Sequence, residues 1–174
     1  MAENANMNII LTGYRATGKT SIGKELSRLL GREFIDTDDL IEKREGQQIK
    51  SIFEQKGWQY FRRVEKRVVR DMARLDNKII AVGGGTLMYK ANLILLEKAK
   101  AVLLIAPLEV IAKRMASDPH RPPLTKDQSS IEEIREVWNR RKERYYALAD
   151  LVVDTGESDP AAAAQVICEK LRFD

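Results

Sequence analysis

Apolar residues in this chain occur as short continuous runs, separated by longer segments in which they recur every three or four positions. The short runs cover residues 7–12, 34–35, 78–82, 101–105 and 151–154. Runs of this length without polar alternation are typical of parallel strands that are buried on both faces. The longer segments have the period of amphipathic helices. The pattern therefore predicts an α/β fold, a three-layer α/β/α sandwich with a five-stranded parallel sheet.

The helices are predicted from apolar residues at helical spacing. They cover residues 21–30, 39–43, 49–54, 58–75, 92–98, 108–115 and 131–148, and a last helix begins at Asp159-Pro160. Gly31 follows the first helix and is predicted to be its left-handed C-terminal cap. The 174 residues contain no internal repeat and no second domain pattern, so residues 1–174 are predicted to form a single domain.

The composition excludes several classes of protein. Hydrophobic residues make up 44% and aromatic residues 6% of the chain, which predicts a core that is mainly aliphatic. No apolar run is long enough to span a bilayer, and residues 1–6 lack the pattern of a signal peptide. A single cysteine, Cys168, and a single histidine, His120, exclude an internal disulfide and the usual zinc sites. We expect a cytoplasmic protein without a membrane partner.

The chain is basic, with a formal net charge of +4 and an isoelectric point of about 9.2. Such a surplus can indicate a nucleic-acid partner or an enzyme whose cleft holds several phosphate charges. The sequence contains no RNP, KH or zinc-finger pattern. The second interpretation is therefore favoured, and no nucleic-acid partner is expected.

The residues between the first strand and the first helix, from Gly13 to Thr20, fit the pattern G-x-x-x-x-G-K-[ST] of a phosphate-binding loop. Glycines let the backbone approach a polyphosphate, and N–H groups at the helix start point towards it. Lys19 can bridge β- and γ-phosphates, and the Thr20 hydroxyl can be a ligand of Mg²⁺. A chance Gly-Lys turn is the alternative, and the strand and helix on either side argue against it.

Two carboxylates, Asp36 and Asp38, follow the second predicted strand. Because the carboxyl ends of parallel strands meet at one edge of a sheet, they are expected beside the phosphates. Asp36 or Thr37 could instead only cap the next helix. Capping and a functional role are compatible, so both interpretations stay open.

Three further features indicate an anionic ligand. Arg62 and Arg63 lie near a helix start, where the dipole disfavours cations, so one of them is a candidate for binding a carboxylate. The segment Gly83–Gly85 ends the third strand, where a substrate could approach the backbone closely. Arg121 lies among prolines in a segment typical of a lid. The alternatives are a solvated helix face, a mobile turn and a plain linker.

The motifs occur in a definite order: the phosphate loop, Asp-Thr-Asp, Phe-Arg-Arg-x-Glu, Gly-Gly-Gly, Arg-Pro and Arg-x-x-x-Tyr. This order resembles the shikimate kinase family over nearly the whole chain. The resemblance implies a P-loop kinase fold with a lid at about residues 117–130. It also implies ATP and Mg²⁺ as cofactors and a monomer. The implied reaction is phosphorylation of the 3-hydroxyl of shikimate to shikimate 3-phosphate, in the synthesis of chorismate and the aromatic amino acids.

The resemblance also implies roles for particular residues. Those that match the ATP site are Gly13, Ala16, Thr17, Gly18, Lys19, Thr20, Ser21, Arg114 and Arg121. Those that match the shikimate site are Asp38, Arg62, Glu65, Gly83, Gly84, Gly85 and Arg141. Thr20 and Asp36 match the Mg²⁺ site. Lys19, Asp38 and Arg121 match the residues that act in phosphoryl transfer.

The sequence departs from the family pattern at three places. Ala16 occupies a loop position that is often glycine, and residues 155–160 lack the arginine that often packs on adenine. Glu143 replaces the usual proline before Tyr145, so Arg140 and Arg144 remain alternatives to Arg141.

Rival functions are also open. Another small-molecule kinase of the same fold, acting on gluconate or a nucleotide, is the nearest. A GTPase is disfavoured because Asn77-Lys78 is not followed by the expected aspartate. A regulatory module that has lost catalysis is disfavoured by the presence of Lys19, Thr20, Asp36 and Asp38.

Overall fold

The structure, a computed structural model, describes residues 6–117 and 131–171. Five strands form one parallel sheet in the order β2-β3-β1-β4-β5. The strands are β1 (Asn8–Gly13), β2 (Glu33–Asp36), β3 (Lys78–Ala81), β4 (Ala99–Ile105) and β5 (Leu151–Asp154). This sheet confirms the predicted five-stranded α/β fold.

Helices connect the strands. They are α1 (Lys19–Leu30), α2 (Thr37–Glu45), α3 (Ile49–Met72), α4 (Leu108–Ala116), α5 (Ile131–Leu148) and α6 (Pro160–Leu171). Two 3-10 helices, Thr86–Met88 and Lys90–Leu96, lie between β3 and β4. Within the described ranges, no helix is long and apolar enough to cross a membrane.

The central strand β1 explains the layered architecture. Its side chains alternate between faces, so Ile9 and Leu11 pack with α1 and α6, whereas Ile10 packs with α2 and α3. All three are fully buried. Burying a side chain of this size contributes about 1.5–3 kcal/mol. A strand buried on both faces therefore needs the continuous apolar run that the sequence shows.

Three helix predictions and the predicted start of one strand need correction. The segment predicted as a helix at 92–98 is the 3-10 helix Lys90–Leu96, and β4 begins at Ala99 instead of residue 101. The reason is tertiary, because Ala99 pairs with Asn8 at the start of β1. The helices predicted at 49–54 and 58–75 form α3, which ends at Met72 and is interrupted at Gly57, where φ is 78°.

The helix ends follow the expected chemistry. Gly31 has a φ of 62° and ends α1 in the left-handed conformation, as predicted. Asp36 caps α2, since its side chain accepts a hydrogen bond from the backbone N–H of Asp38. The parallel strands bring Gly13, Asp36 and Val82 to the same edge of the sheet, where a ligand crevice is expected.

Candidate functional site

The phosphate-binding loop joins β1 to α1. Gly13 must be glycine, because a Cβ there would lie 2.3 Å from the carbonyl oxygen of Leu104. The Nζ atom of Lys19 donates to the carbonyl oxygens of Gly13 at 3.0 Å and Tyr14 at 2.7 Å. The ammonium group therefore lies at the mouth of the loop. Gly18, with a φ of 95°, precedes the first turn of α1, on which Ser21 is exposed.

Ala16 and Thr17 shape the loop. Ala16 has a φ of 58°, in the left-handed region that favours glycine. Thr17 is fully buried, and its Oγ1 donates to the carbonyl oxygen of Tyr14 at 2.8 Å. The side chain of Thr17 thus supports the loop from inside.

A second set of contacts braces the loop from the side of β5. Arg114 donates to the carbonyl oxygens of Ala16 at 3.3 Å and Thr155 at 2.6 Å. Thr155 Oγ1 in turn lies 2.9 Å from the carbonyl oxygen of Thr17. Thr155 was not identified from the sequence, since its partner lies 138 positions away. Arg114, matched above to the adenine site, is therefore adjacent to the donor loop.

Thr20 and Asp36 come together although they lie in different elements. Thr20 Oγ1 donates to Asp36 Oδ2 at 2.9 Å, while Asp36 Oδ1 accepts from the backbone of Asp38. Capping of α2 and contact with Thr20 therefore coexist in one carboxylate. Among the residues described, no three His, Cys, Asp or Glu side chains cluster as a metal cage. Mg²⁺ usually needs only one or two protein oxygens, together with phosphates and water, and this pair fits that chemistry.

The glycines after β3 gather the other candidate residues. A Cβ on Gly83 would lie 2.9 Å from Asp38 Oδ1, and one on Gly85 would lie 3.0 Å from Arg62 Nη2. A Cβ on Gly84 would lie 3.3 Å from the carbonyl oxygen of Gly13. The glycine run therefore lies beside an acid at Gly83, beside the donor loop at Gly84 and beside a guanidinium at Gly85.

Arg62 is held by a buried carboxylate. Its Nη1 atom lies 2.6 Å from Glu65 Oε2, and Glu65 is only 2% exposed. Thr86 Oγ1 donates to Glu65 Oε1 at 2.8 Å, and Asn92 Nδ2 lies 3.4 Å from Oε2. A buried carboxylate is costly unless it is paired and hydrogen-bonded, as it is here. The Nε atom of Arg62 is also buried and has no partner among the residues described.

Thr86 and Asn92 are supporting residues that sequence reasoning missed. Asn92 Nδ2 donates to the carbonyl oxygen of Thr86 at 2.9 Å, which links the two 3-10 helices. Both residues are buried. The sequence shows two uncharged polar residues in the segment after the glycine run. It does not indicate that Glu65 is their partner.

The position of Arg141 distinguishes it from Arg140 and Arg144, the two alternatives for the second arginine of the site. A Cβ on Gly84 or Gly85 would lie 3.6 Å from an Arg141 Nη atom. Arg140 pairs with the exposed Glu136, and Arg144 donates to the carbonyl oxygen of Leu87 at 2.8 Å. Only Arg141 of the three therefore reaches the glycines.

Tyr145, four residues after Arg141, was also missed as a supporting residue. It is fully buried, and its hydroxyl donates to the carbonyl oxygen of Gly84. Burial raises the pKa of Tyr145 above its usual value, whereas the Arg141 charge and hydrogen bond oppose that rise. The hydroxyl therefore keeps its proton and fixes the middle glycine. Arg121 lies outside the described residues, as do residues 118–130 of the predicted lid.

Comparison with known proteins supports one family. The family model described as shikimate kinase matches residues 15–172. The shikimate kinase of Syntrophus aciditrophicus is 37% identical, covering 98% of this chain and 92% of that protein. A bifunctional shikimate kinase/3-dehydroquinate synthase of Thermotoga maritima is 41% identical over 80% of this chain, which spans 27% of that protein's length.

A solved structure shows the same similarity in three dimensions. The shikimate kinase from Acinetobacter baumannii in complex with shikimate has a TM-score of 0.91 and 31% sequence identity to this chain. The match covers 98% of this chain and 96% of that one. Because the family model and a full-length relative both match nearly the whole sequence, the chain belongs to the shikimate kinase family and shares its kinase activity and its use of ATP.

Proposed function

We propose that this chain transfers the γ-phosphoryl group of ATP to the 3-hydroxyl of shikimate, giving shikimate 3-phosphate, through the residues assigned below. The observation that carries the proposal is the segment Gly83–Gly85, which lies against Gly13 of the donor loop and against Asp38, Arg62 and Arg141. Shikimate is an anionic polyol, so its recognition requires guanidinium groups for the carboxylate and oxygen acceptors for the hydroxyls. The complex of the Acinetobacter baumannii relative with shikimate supports this assignment.

The donor side is the loop from Gly13 to Thr20. The backbone N–H groups at the start of α1 would point towards a polyphosphate bound in this loop. Lys19, held at the loop mouth by two carbonyl oxygens, can turn to the β- and γ-phosphates. Arg114 lies beside the loop, at the side where we place the nucleoside.

Thr20 and Asp36 are proposed to hold Mg²⁺, Thr20 by its hydroxyl and Asp36 by its carboxylate or through bound water. Mg²⁺ would neutralise charge on the transferring phosphoryl group. The hydrogen bond between the two side chains keeps both oxygens at one place. Neither residue needs to move far to serve as a ligand.

On the acceptor side, Arg62 and Arg141 are proposed to bind the shikimate carboxylate. Asp38 is proposed to orient the 3-hydroxyl and to accept its proton. In the transfer, a bond forms between this hydroxyl oxygen and the γ-phosphorus, and the bond to the β–γ bridging oxygen breaks. The transition state is loose, so positioning and neutralisation of charge contribute more than the base.

Five further predictions from the sequence belong to this proposal. Arg121 is expected to reach the phosphates, and residues of about 117–130 are expected to form the lid. The whole chain is expected to act as one domain and as a monomer in the cytoplasm.

The test is a coupled assay of ADP formation from ATP and Mg²⁺, with and without shikimate. We expect ADP to form only with shikimate and the product to be the 3-phosphate, identified by NMR. Gluconate and nucleoside monophosphates serve as alternative acceptors and test the nearest rival kinases. Lys19→Met supplies the matched inactive control. Turnover that does not depend on shikimate, or that prefers another acceptor, would overturn the proposal.

A further inference from the structure

Two exposed aromatic side chains flank the guanidinium of Arg62. Its Cζ atom lies 4.1 Å from the ring centre of Trp58 and 4.5 Å from that of Tyr89. The two aromatic residues also contact each other, since Trp58 Nε1 lies 3.3 Å from Tyr89 Oη. We call Trp58 and Tyr89 the aromatic pair. Arg62 therefore has one partner for its charge, Glu65, and contacts the exposed aromatic pair and, at 5.1 Å, the buried ring of Phe61.

The pair comes from two separate parts of the chain. Trp58 directly follows the break in α3 at Gly57, and its ring stacks on Phe53 at 5.0 Å across that break. Tyr89 stands between the two 3-10 helices that follow the glycine run. One residue next to the backbone break and one residue after the glycine run therefore both contact Arg62.

Packing on the core explains these two side chains only in part, because Trp58 stacks on Phe53 but remains largely exposed. Trp58 is 51% exposed and Tyr89 is 39% exposed, although both are large and apolar. Exposed aromatic rings next to a guanidinium are typical of cation–π contacts, of which each contributes a modest amount at the surface. We therefore expect the aromatic pair to affect the position of Arg62 more than the stability of the fold.

We propose that Trp58 and Tyr89 are positioning residues that hold Arg62 for the carboxylate of the acceptor. The guanidinium is planar, and its five N–H donors lie in that plane. Aromatic rings offer no carbonyl or carboxylate acceptor to these donors, and Glu65 takes only Nη1. Nη2 remains beside Gly85, and the buried Nε remains without a partner among the described residues. This inference rests on the proposed role of Arg62 in binding shikimate.

The energetic reason is conformational entropy. A free arginine side chain loses rotamer freedom when it is fixed in one geometry, and this loss opposes binding. Glu65 restrains one end of the guanidinium, and the aromatic pair restrains its tilt. Arg62 is thus ordered before the substrate binds, and less of the binding free energy is spent on ordering it.

The experiment compares steady-state kinetics of Trp58→Ala, Trp58→Phe, Tyr89→Ala and Tyr89→Phe. We expect Trp58→Ala and Tyr89→Ala to raise the KM for shikimate about fivefold to tenfold, with kcat and the KM for ATP within about twofold. The phenylalanine variants keep a ring and should stay within about threefold. Tyr146→Ala, which removes an aromatic residue of similar exposure from α5, is the matched control and should change neither KM.

Two further arms separate positioning from a structural role. With methyl shikimate, in which a neutral ester replaces the carboxylate, Trp58→Ala should no longer change the KM relative to the unsubstituted chain. In an Arg62→Lys background, Trp58→Ala should add less than about twofold, because the two residues act through the same contact. Circular dichroism and thermal unfolding show whether each variant is folded.

The outcomes are distinguishable. If Arg62→Lys raises the KM for shikimate but Trp58→Ala and the folded Tyr89 variants do not, the aromatic pair has no positioning role and the proposed function stands. If Trp58→Ala raises the KM equally for shikimate and methyl shikimate, the pair does not act through the carboxylate. If Arg62→Lys itself leaves the KM for shikimate unchanged, the proposed role of Arg62 is wrong.

Discussion

Thr20 Oγ1 donates a hydrogen bond to Asp36 Oδ2 over 2.9 Å and so connects the first turn of α1 to the end of β2. The two residues are 16 positions apart in the chain. Parallel pairing of β2 with β3 and of β3 with β1 brings them together, because the carboxyl ends of all three strands meet. The contact places two hard oxygen ligands beside the loop that we propose for ATP.

This contact predicts how activity depends on magnesium. Thr20→Val keeps the shape of the side chain but removes the hydroxyl, so we expect the Mg²⁺ concentration for half-maximal activity to rise at least about tenfold. Thr20→Ser keeps the hydroxyl and should remain within about threefold. The measurement is a Mg²⁺ titration of initial rate at fixed ATP. Equal curves for the valine and serine variants would exclude a ligand role for Thr20.

Asp38 is predicted to act in the chemical step. Asp38→Asn keeps the size of the side chain but removes the proton acceptor, so kcat should fall by about a hundredfold or more. The KM for ATP should stay within about threefold. Asp39→Asn, which changes the exposed neighbouring acid, is the matched control and should retain normal turnover. An Asp38→Asn enzyme with near-normal kcat would remove Asp38 from the chemistry.

Substitution of glycine by alanine is predicted to cause different kinetic defects at two positions of the glycine run. Gly83→Ala would place a methyl group 2.9 Å from Asp38 Oδ1, so it should lower kcat. Gly85→Ala would place one 3.0 Å from Arg62 Nη2, so it should raise the KM for shikimate about tenfold with less effect on kcat. Each variant is the control for the other, and the measurement is a full shikimate saturation curve. Identical defects in both would contradict this separation.

The left-handed conformation of Ala16 predicts a size limit in the phosphate loop. Ala16→Gly removes backbone strain of about 1 kcal/mol but adds freedom to the unfolded chain, so the unfolding free energy should change by less than about 1 kcal/mol. Ala16→Val puts a β-branched residue at a φ of 58°, where such residues are rarely found. The valine variant should therefore raise the KM for ATP, which glycine should leave within about threefold. ATP saturation curves test this, and a valine variant that binds ATP normally would contradict it.

Glu45, at the end of α2, is predicted to make a pH-dependent contribution to the stability of the fold. Hydrogen bonds from the Tyr60 hydroxyl and the Lys56 ammonium lower the pKa of Glu45 below its usual value. A carboxyl with a lowered pKa stabilises the fold above its unfolded-state pKa of about 4.3, and this contribution disappears as pH falls through the folded-state pKa. Glu45→Gln should therefore be less stable than the unsubstituted chain at pH 7, and the difference should shrink as the pH falls below about 4.3.

Urea denaturation of both proteins at pH 7, 5 and 3 measures that difference. Surface ion pairs contribute little, so the difference at pH 7 should be below about 1 kcal/mol. The other carboxylates titrate alike in the two proteins and cancel in the comparison. A difference that grows towards low pH would have the wrong sign and would reject the explanation.

The sequence predicted the parts of the site that are local in the chain. The loop from Gly13 to Thr20 could be identified because its function depends on consecutive backbone groups between one strand and one helix. The cap at Gly31 is equally local, since it needs only a residue that tolerates positive φ. The apolar runs predicted the five strands because a strand buried on both faces consists mainly of apolar residues.

Other features could not be predicted because they depend on partners that are distant in the chain. The supporting role of Thr86 and Asn92 depends on their hydrogen bonds to Glu65, which lies 21 and 27 positions away. The aromatic contact to Arg62 depends on Tyr89, 31 positions after Trp58. The start of β4 at Ala99 depends on its pairing with Asn8.

The chain by itself therefore determined the sheet, the donor loop and the residue types that a shikimate site requires. The tertiary structure decided which arginine reaches the glycines, since Arg140, Arg141 and Arg144 look alike in sequence and differ only in the direction that α5 gives them. It also decided that Glu65 is buried and that Arg62 contacts Glu65 and the aromatic pair at the same time. The physical reason is that periodicity specifies which side of an element is buried, whereas the packing of separate elements specifies which side chains meet.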